Sequence, residues 1–122
     1  EMIAALSRGK RRTIRGPHDD GRAANPGRVA AAAIPVERFT GEMLVAGGDR
    51  DGTWASGEMV RNIAARRAHA GLPTAALVFP NAGHALSGSG WEPTNYPGID
   101  ADAAATAAAQ GAVRNAMLAM LD

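Results

Sequence analysis

Met43-Leu44-Val45-Ala46-Gly47-Gly48, the stretch 56–67, and Thr74-Ala75-Ala76-Leu77-Val78-Phe79 are the consecutive segments on which the fold turns. The first is a short apolar run stopped by paired glycines, the pattern of a strand buried on both faces. Next, Met59, Val60, Ile63, Ala64 and Arg67 recur at helical spacing, with Ser56 placed to cap the start and Gly71 with Pro73 placed to stop the end. The last run is a second strand, closed by Pro80-Asn81-Ala82-Gly83. Strand, helix and strand make a βαβ unit. Such crossovers are almost always right-handed, so the strands are expected to be parallel and to open their carboxyl ends onto one edge of the sheet.

On either side the signals are weaker. After a loop rich in Gly, Pro and Ser, residues 101–121 read as a final helix, with Val113, Met117, Met120 and Leu121 forming a stripe that would cover the sheet. Upstream, residues 16–27 carry Gly, Pro, Asp and Asn and read as loop, with His18 in it. Arg8, Lys10, Arg11, Arg12 and Arg15 form a basic cluster without interleaved aromatics, and His18-Asp19-Asp20-Gly21 follows it. A solvated loop is expected there rather than a nucleic-acid surface. The chain therefore divides into a loop-rich, basic segment, 1–33, serving as connector or lid remnant, and an α/β segment, 34–122.

Composition excludes several classes. With 122 residues the chain is one domain at most, and 46% hydrophobic against 20% charged residues is a folding composition rather than a disordered one. The absence of Cys removes a disulfide scaffold and a thiolate metal site. No apolar run is long enough for a membrane span, and the start lacks the basic-then-apolar order of a signal peptide, so a cytoplasmic protein is expected. Ala dominates the apolar residues and aromatics make up only 4%, which predicts a thin core.

The chemistry lies at the strand ends. Gly48-Asp49-Arg50-Asp51-Gly52 follows the first strand and Gly83-His84 follows the second. Terminal loops of adjacent parallel strands come close enough for a carboxylate to accept a hydrogen bond from imidazole, and the groove they border is where ligands bind in open sheets. An Asp and a His so placed are two members of a hydrolase triad, although a capping Asp and a turn His fit the same residues. Elsewhere, His69 is expected at the helix C-terminal carbonyls, Trp54 and Trp91 as packing lids rather than pocket walls, and Arg50 in solvent unless it meets Asp51 or a phosphate.

Ile34-Pro35-Val36-Glu37, Gly41, Leu44-Val45, Gly48-x-x-Asp51, Trp54-x-Ser56, Pro80-x-x-Gly83-His84 and Pro93-Thr94 together resemble the C-terminal region of acyl-CoA thioesterases and bile acid-CoA:amino acid N-acyltransferases. The resemblance runs from about Ile34 onward and implies the C-terminal portion of an α/β-hydrolase fold. It also implies Asp51 as the acid and His84 as the base of a triad, an acyl-CoA or ester substrate, and no cofactor or metal. The nucleophile elbow of that fold is absent. Ser7, Ser56, Ser87 and Ser89 all lack the Gly-x-Ser-x-Gly frame, and chain order in such enzymes puts the nucleophile first, so the missing N-terminal part of the domain is expected to carry it. Alternatives are another α/β-hydrolase, such as an esterase or a dienelactone-hydrolase-like enzyme, or a non-catalytic fragment.

A rival reading rests on Asp49-Arg50-Asp51-Gly52-Thr53, which matches the Asp-x-Asp-Gly-Thr start of haloacid-dehalogenase-like phosphatases. There the first Asp is the nucleophile, and a later Lys and an acidic pair complete a magnesium site. Lys10, the sole Lys, precedes the motif; Asp100 and Asp102 could supply the acids. A calcium loop starting at Asp49 fails because its twelfth position is Val60.

Overall fold

The computed structural model describes residues 13–86 and 102–122. Helix α1 (Arg15–Ala24), the short helix α2 (Pro26–Ala31) and a tight 3-10 turn (Val36–Arg38) lead into strand β1 (Met43–Gly48). Helix α3 (Ser56–His69), strand β2 (Thr74–Phe79) and helix α4 (Ala103–Ala119) follow. The strands form a two-stranded parallel sheet with Met43 opposite Thr74 and Gly48 opposite Phe79. This is an α/β arrangement built on the expected βαβ unit. β1 extends past its apolar run because Gly47 and Gly48 are themselves paired and buried. The residues around Ser7, the basic cluster at 8–12, Ser87, Ser89, Trp91, Pro93, Thr94 and Asp100 lie outside the described residues.

Arg67, on the inward face of α3, is fully buried and holds the amino-terminal edge of the unit together. Its Nε donates to Thr74 Oγ1 at 2.7 Å; Nη1 donates to the carbonyls of Val36 at 2.8 Å and Phe39 at 2.5 Å; Nη2 donates to those of Gly41 at 2.7 Å and Pro73 at 2.9 Å. A guanidinium has five N–H donors, and each has an acceptor here. The Phe39 ring, its centroid 5.7 Å away, adds its negative face. The segment entering β1 and the segment entering β2 are thereby fixed to one side chain.

The helix that carries Arg67 ends as its sequence suggests, but by backbone geometry. Gly71 has φ +68°, its N–H donates to Ala68 O at 3.0 Å, and Leu72 N–H donates to Arg67 O at 2.9 Å, a Schellman motif. Backbone donors, not the expected His69 side chain, take those carbonyls. The helix start also differs from expectation. Ser56 is the first helical residue rather than the cap, and its hydroxyl accepts from Gly48 N–H and donates to Gly48 O, both at 3.1 Å.

The loop expected over 16–27 is helical. Pro17 falls in the first turn of α1 and Pro26 opens α2, positions where a missing N–H costs nothing. Arg15 pairs with Asp19 one turn on at 3.1 Å, and Asn25 Nδ2 donates back to Gly21 O at 2.9 Å. Neither helix buries a residue.

On α4 the buried face is Thr106, Ala109, Gln110 and Val113, not the expected stripe. Val113 alone of that stripe is buried; Met117 is 57% and Leu121 82% exposed. Asp102 caps the helix, its carboxylate accepting from Ala105 N–H at 3.0 Å. Ala109 packs with Ala82 and Leu86, against Ala46 and Phe79, a cluster of mostly small side chains as the composition predicts. No helix among the described residues is long and apolar enough to cross a membrane.

Replacing Arg67 tests its role directly. Lys carries a point charge and three donors and cannot serve the same acceptors, so Arg67→Lys should lower unfolding stability by on the order of 3 kcal/mol, measured from the urea midpoint.

Candidate active site

The site is built where the strands end. Beyond β1 the backbone laces onto the residues beyond β2: Asp49 N–H donates to Phe79 O at 3.0 Å and Arg50 N–H to Ala82 O at 3.2 Å. Such lacing requires a bare backbone at Gly48, because a Cβ there would overlap the carbonyl oxygens of Ala82 and Gly83. Gly47 is equally constrained, since its Cβ would stand 2.5 Å from Ser56 O at the start of α3. The paired glycines that mark the strand end in the sequence therefore set how closely the terminal loops approach.

Within this frame the Asp51 carboxylate meets the His84 ring. Asp51 Oδ1 accepts from the backbone N–H groups of Thr53 at 2.7 Å and Trp54 at 3.1 Å, while Oδ2 lies 3.1 Å from His84 Nδ1. A carboxylate only accepts, so the proton of this last bond belongs on Nδ1 and the neutral ring presents Nε2 as its acceptor. The pair is asymmetric in exposure: the Asp51 side chain is 1% accessible and that of His84 39%. A buried anion thus orients an imidazole that reaches solvent.

Asp49 does something else. Both its oxygens accept from Arg61, at 2.7 Å each, on the exposed side of α3. The Arg61 hydrogen bonds hold its carboxyl below the ordinary carboxylate range, overcoming the opposing effect of burial. A carboxylate clamped in this way is poorly disposed to be the phosphatase nucleophile of the rival reading. Among the described residues no group of three or more His, Asp or Glu could hold a metal ion. Arg50 is exposed, and its backbone rather than its guanidinium joins the site.

Several further residues contribute through contacts that the sequence did not disclose. Arg15 N–H donates to Gly52 O at 2.9 Å and its Nη1 to Asp49 O at 3.1 Å, so α1 braces the Asp51 loop. Trp54, 40% exposed, stands with its ring centroid 4.6 Å from that of His18 on α1 and 6.0 Å from that of His84. From α4, Thr106 and Gln110 bond the backbone on either side of His84. Sequence spacing alone could not have found these, because each is a contact across more than 20 residues of chain.

A βαβ unit with a buried acid and an exposed histidine at its carboxyl edge defines an α/β protein with a polar strand-end site. The chain belongs to the BAAT / acyl-CoA thioester hydrolase C-terminal family, whose model matches residues 19–96, well over half of its length. The match begins at residue 19, upstream of Ile34 and inside the segment read as a connector. No curated protein and no solved structure matches the chain significantly.

Two measurements probe this geometry. Gly48→Ala should push the loops apart, cost about 1–3 kcal/mol, and release the Arg50 amide to faster hydrogen exchange. Asp49 has a folded pKa below its unfolded one, so its contribution is whole above the unfolded value of about 3.9 and is lost as pH falls through the folded value. Because the pair is exposed the loss is under about 1 kcal/mol, and Asp49→Asn should flatten that part of the acid-side fall in Tm.

Proposed function

We propose that this chain is the C-terminal part of an α/β-hydrolase that acts on acyl-CoA thioesters, and that it contributes the acid and base of a triad. The reading rests on one observation, the Oδ2–Nδ1 contact of 3.1 Å between buried Asp51 and exposed His84, in a chain of this family. The nucleophile is a Ser or Cys from a further part of the domain, since no Ser here has the Gly-x-Ser-x-Gly frame and there is no Cys. That part would also supply strands to extend the two-stranded sheet.

The chemistry follows from the proton positions. His84 Nε2 takes the proton of the nucleophile as it attacks the thioester carbonyl carbon. Asp51 holds the ring orientation and stabilises the imidazolium that forms, without itself taking the proton. The C–S bond then breaks, His84 returns the proton to the departing CoA thiolate, and the acyl group remains on the enzyme. Water or an amine acceptor, activated by the same nitrogen, attacks the acyl-enzyme and releases acid or amide.

The test is an acyl-CoA turnover assay on a polypeptide joining this segment to the nucleophile-bearing half of a hydrolase of the same family. His84→Ala and Asp51→Asn should each reduce kcat by about 10⁴-fold, and the 122-residue chain alone should show no saturable turnover. Undiminished activity in His84→Ala would sink the reading.

A further inference from the structure

Resting on the reading of His84 as the base, we infer that Thr106 and Gln110 are positioning residues, and that α4 sets the orientation of the imidazole by gripping its backbone on both flanks. Gly83 N–H donates to Thr106 Oγ1 at 3.0 Å, and Gln110 Nε2 donates to Ala85 O at 2.7 Å. The residues before and after His84 are therefore each tied to α4, by side chains one helical turn apart on the same face. Thr106 is completely buried and Gln110 is 6% exposed, so neither bond competes with solvent. Thr106 is itself oriented, its hydroxyl donating to Asp102 O at 2.8 Å, which leaves the oxygen to accept from Gly83. The grip thus runs from the helix cap at Asp102 through Thr106 to the loop. Both residues lie beyond the segment that matches the family.

Side-chain position follows from this backbone control. His84 reaches Asp51 from a loop of its own, so its ring swings with any rotation of the peptides that flank it, and a misplacement of about 1 Å at a reacting group costs about 100-fold in rate. Asp51 constrains only Nδ1; Thr106 and Gln110 constrain the base of the side chain. The apolar cluster beside it, Ala82, Leu86 and Ala109 with Phe79 against them, acts without direction and does not fix the peptides that flank His84.

The experiment reads the ring itself by long-range 1H–15N NMR of the histidine side chains in the 122-residue chain. The unsubstituted chain should hold His84 as the Nδ1–H tautomer. Thr106→Val, which keeps the shape and removes the oxygen, and Gln110→Leu should each lower the ratio of Nδ1–H to Nε2–H about fivefold, and Thr106→Ser should restore it. A purely structural role would change melting without moving this ratio. If the unsubstituted ring is not Nδ1–H, the acid–base reading falls and this inference with it. If it is Nδ1–H and both folded variants leave the ratio unchanged, the positioning role alone is overturned. Should the variants fail to fold, amide exchange of the unsubstituted chain decides: Gly83 should exchange in step with Thr106 and Ala109 of α4, and much faster exchange would overturn the grip.

Discussion

A buried guanidinium held by four backbone carbonyls and a threonine hydroxyl organises this fold. Arg67 brings a full positive charge into the interior, and only acceptors from two separate chain segments make that tolerable: the carbonyls of Val36, Phe39 and Gly41 ahead of β1, and Pro73 with Thr74 at the entry to β2. Losing one segment would strand donors in a buried site, so the segments must be present together. That requirement fixes where each strand begins. With Met43 opposite Thr74, the six paired positions run to Gly48 opposite Phe79, and the ends of the strands are level. A slip by one residue would break the Arg67 shell at one edge and separate Asp51 from His84 at the other.

At the carboxyl edge the constraint passes from charge to bare backbone. Gly47 admits the start of α3 and Gly48 admits the residues before His84, so the loops approach as closely as backbone atoms allow. Ser56 closes the corner by bonding both polar groups of Gly48. Into this frame Asp51 is turned inward by Thr53 and Trp54 N–H groups, which satisfy one oxygen and aim the other at the ring. Asp49, two residues earlier, is turned outward to Arg61. The same pentapeptide therefore holds one carboxylate for structure at the surface and another for orientation in the interior.

Those features that repeat along the chain were legible in the sequence. The apolar runs at 43–46 and 74–79 and the helical spacing between them carry their own period, and a parallel pairing then puts Asp51 and His84 on one edge. What failed depended on where a residue falls within its element, or on a partner outside that element. Gly, Pro and Asn at 16–27 punctuate helices instead of a loop, because Pro17 and Pro26 sit at helix starts. Ser56 was available to cap α3, yet Gly48 offers its hydroxyl both a donor and an acceptor. Apolarity pointed to Met117 and Leu121 as the inner face of α4, whereas that helix buries Thr106, Ala109, Gln110 and Val113, in its first half and middle. Arg67 read only as one more helical position, since nothing in its neighbours announces five carbonyl and hydroxyl acceptors.

The inversion on α4 has an energetic logic. Its buried apolar residues are Ala109 and Val113, which contribute about 3 kcal/mol between them and act without direction. An apolar contact of that size would allow the helix to rotate or slide until Met117 and Leu118 also found cover. Thr106 and Gln110 oppose such movement, because each bond is worth only about 1 kcal/mol when made but leaves a buried group unsatisfied, at about 1–3 kcal/mol, when broken. The polar bonds therefore add little to the depth of the native minimum and much to its narrowness. A thin, alanine-rich core needs this division: methyl groups hold the layers together, and directional bonds from Arg67 at one edge and from Thr106 and Gln110 at the other decide where each element stands.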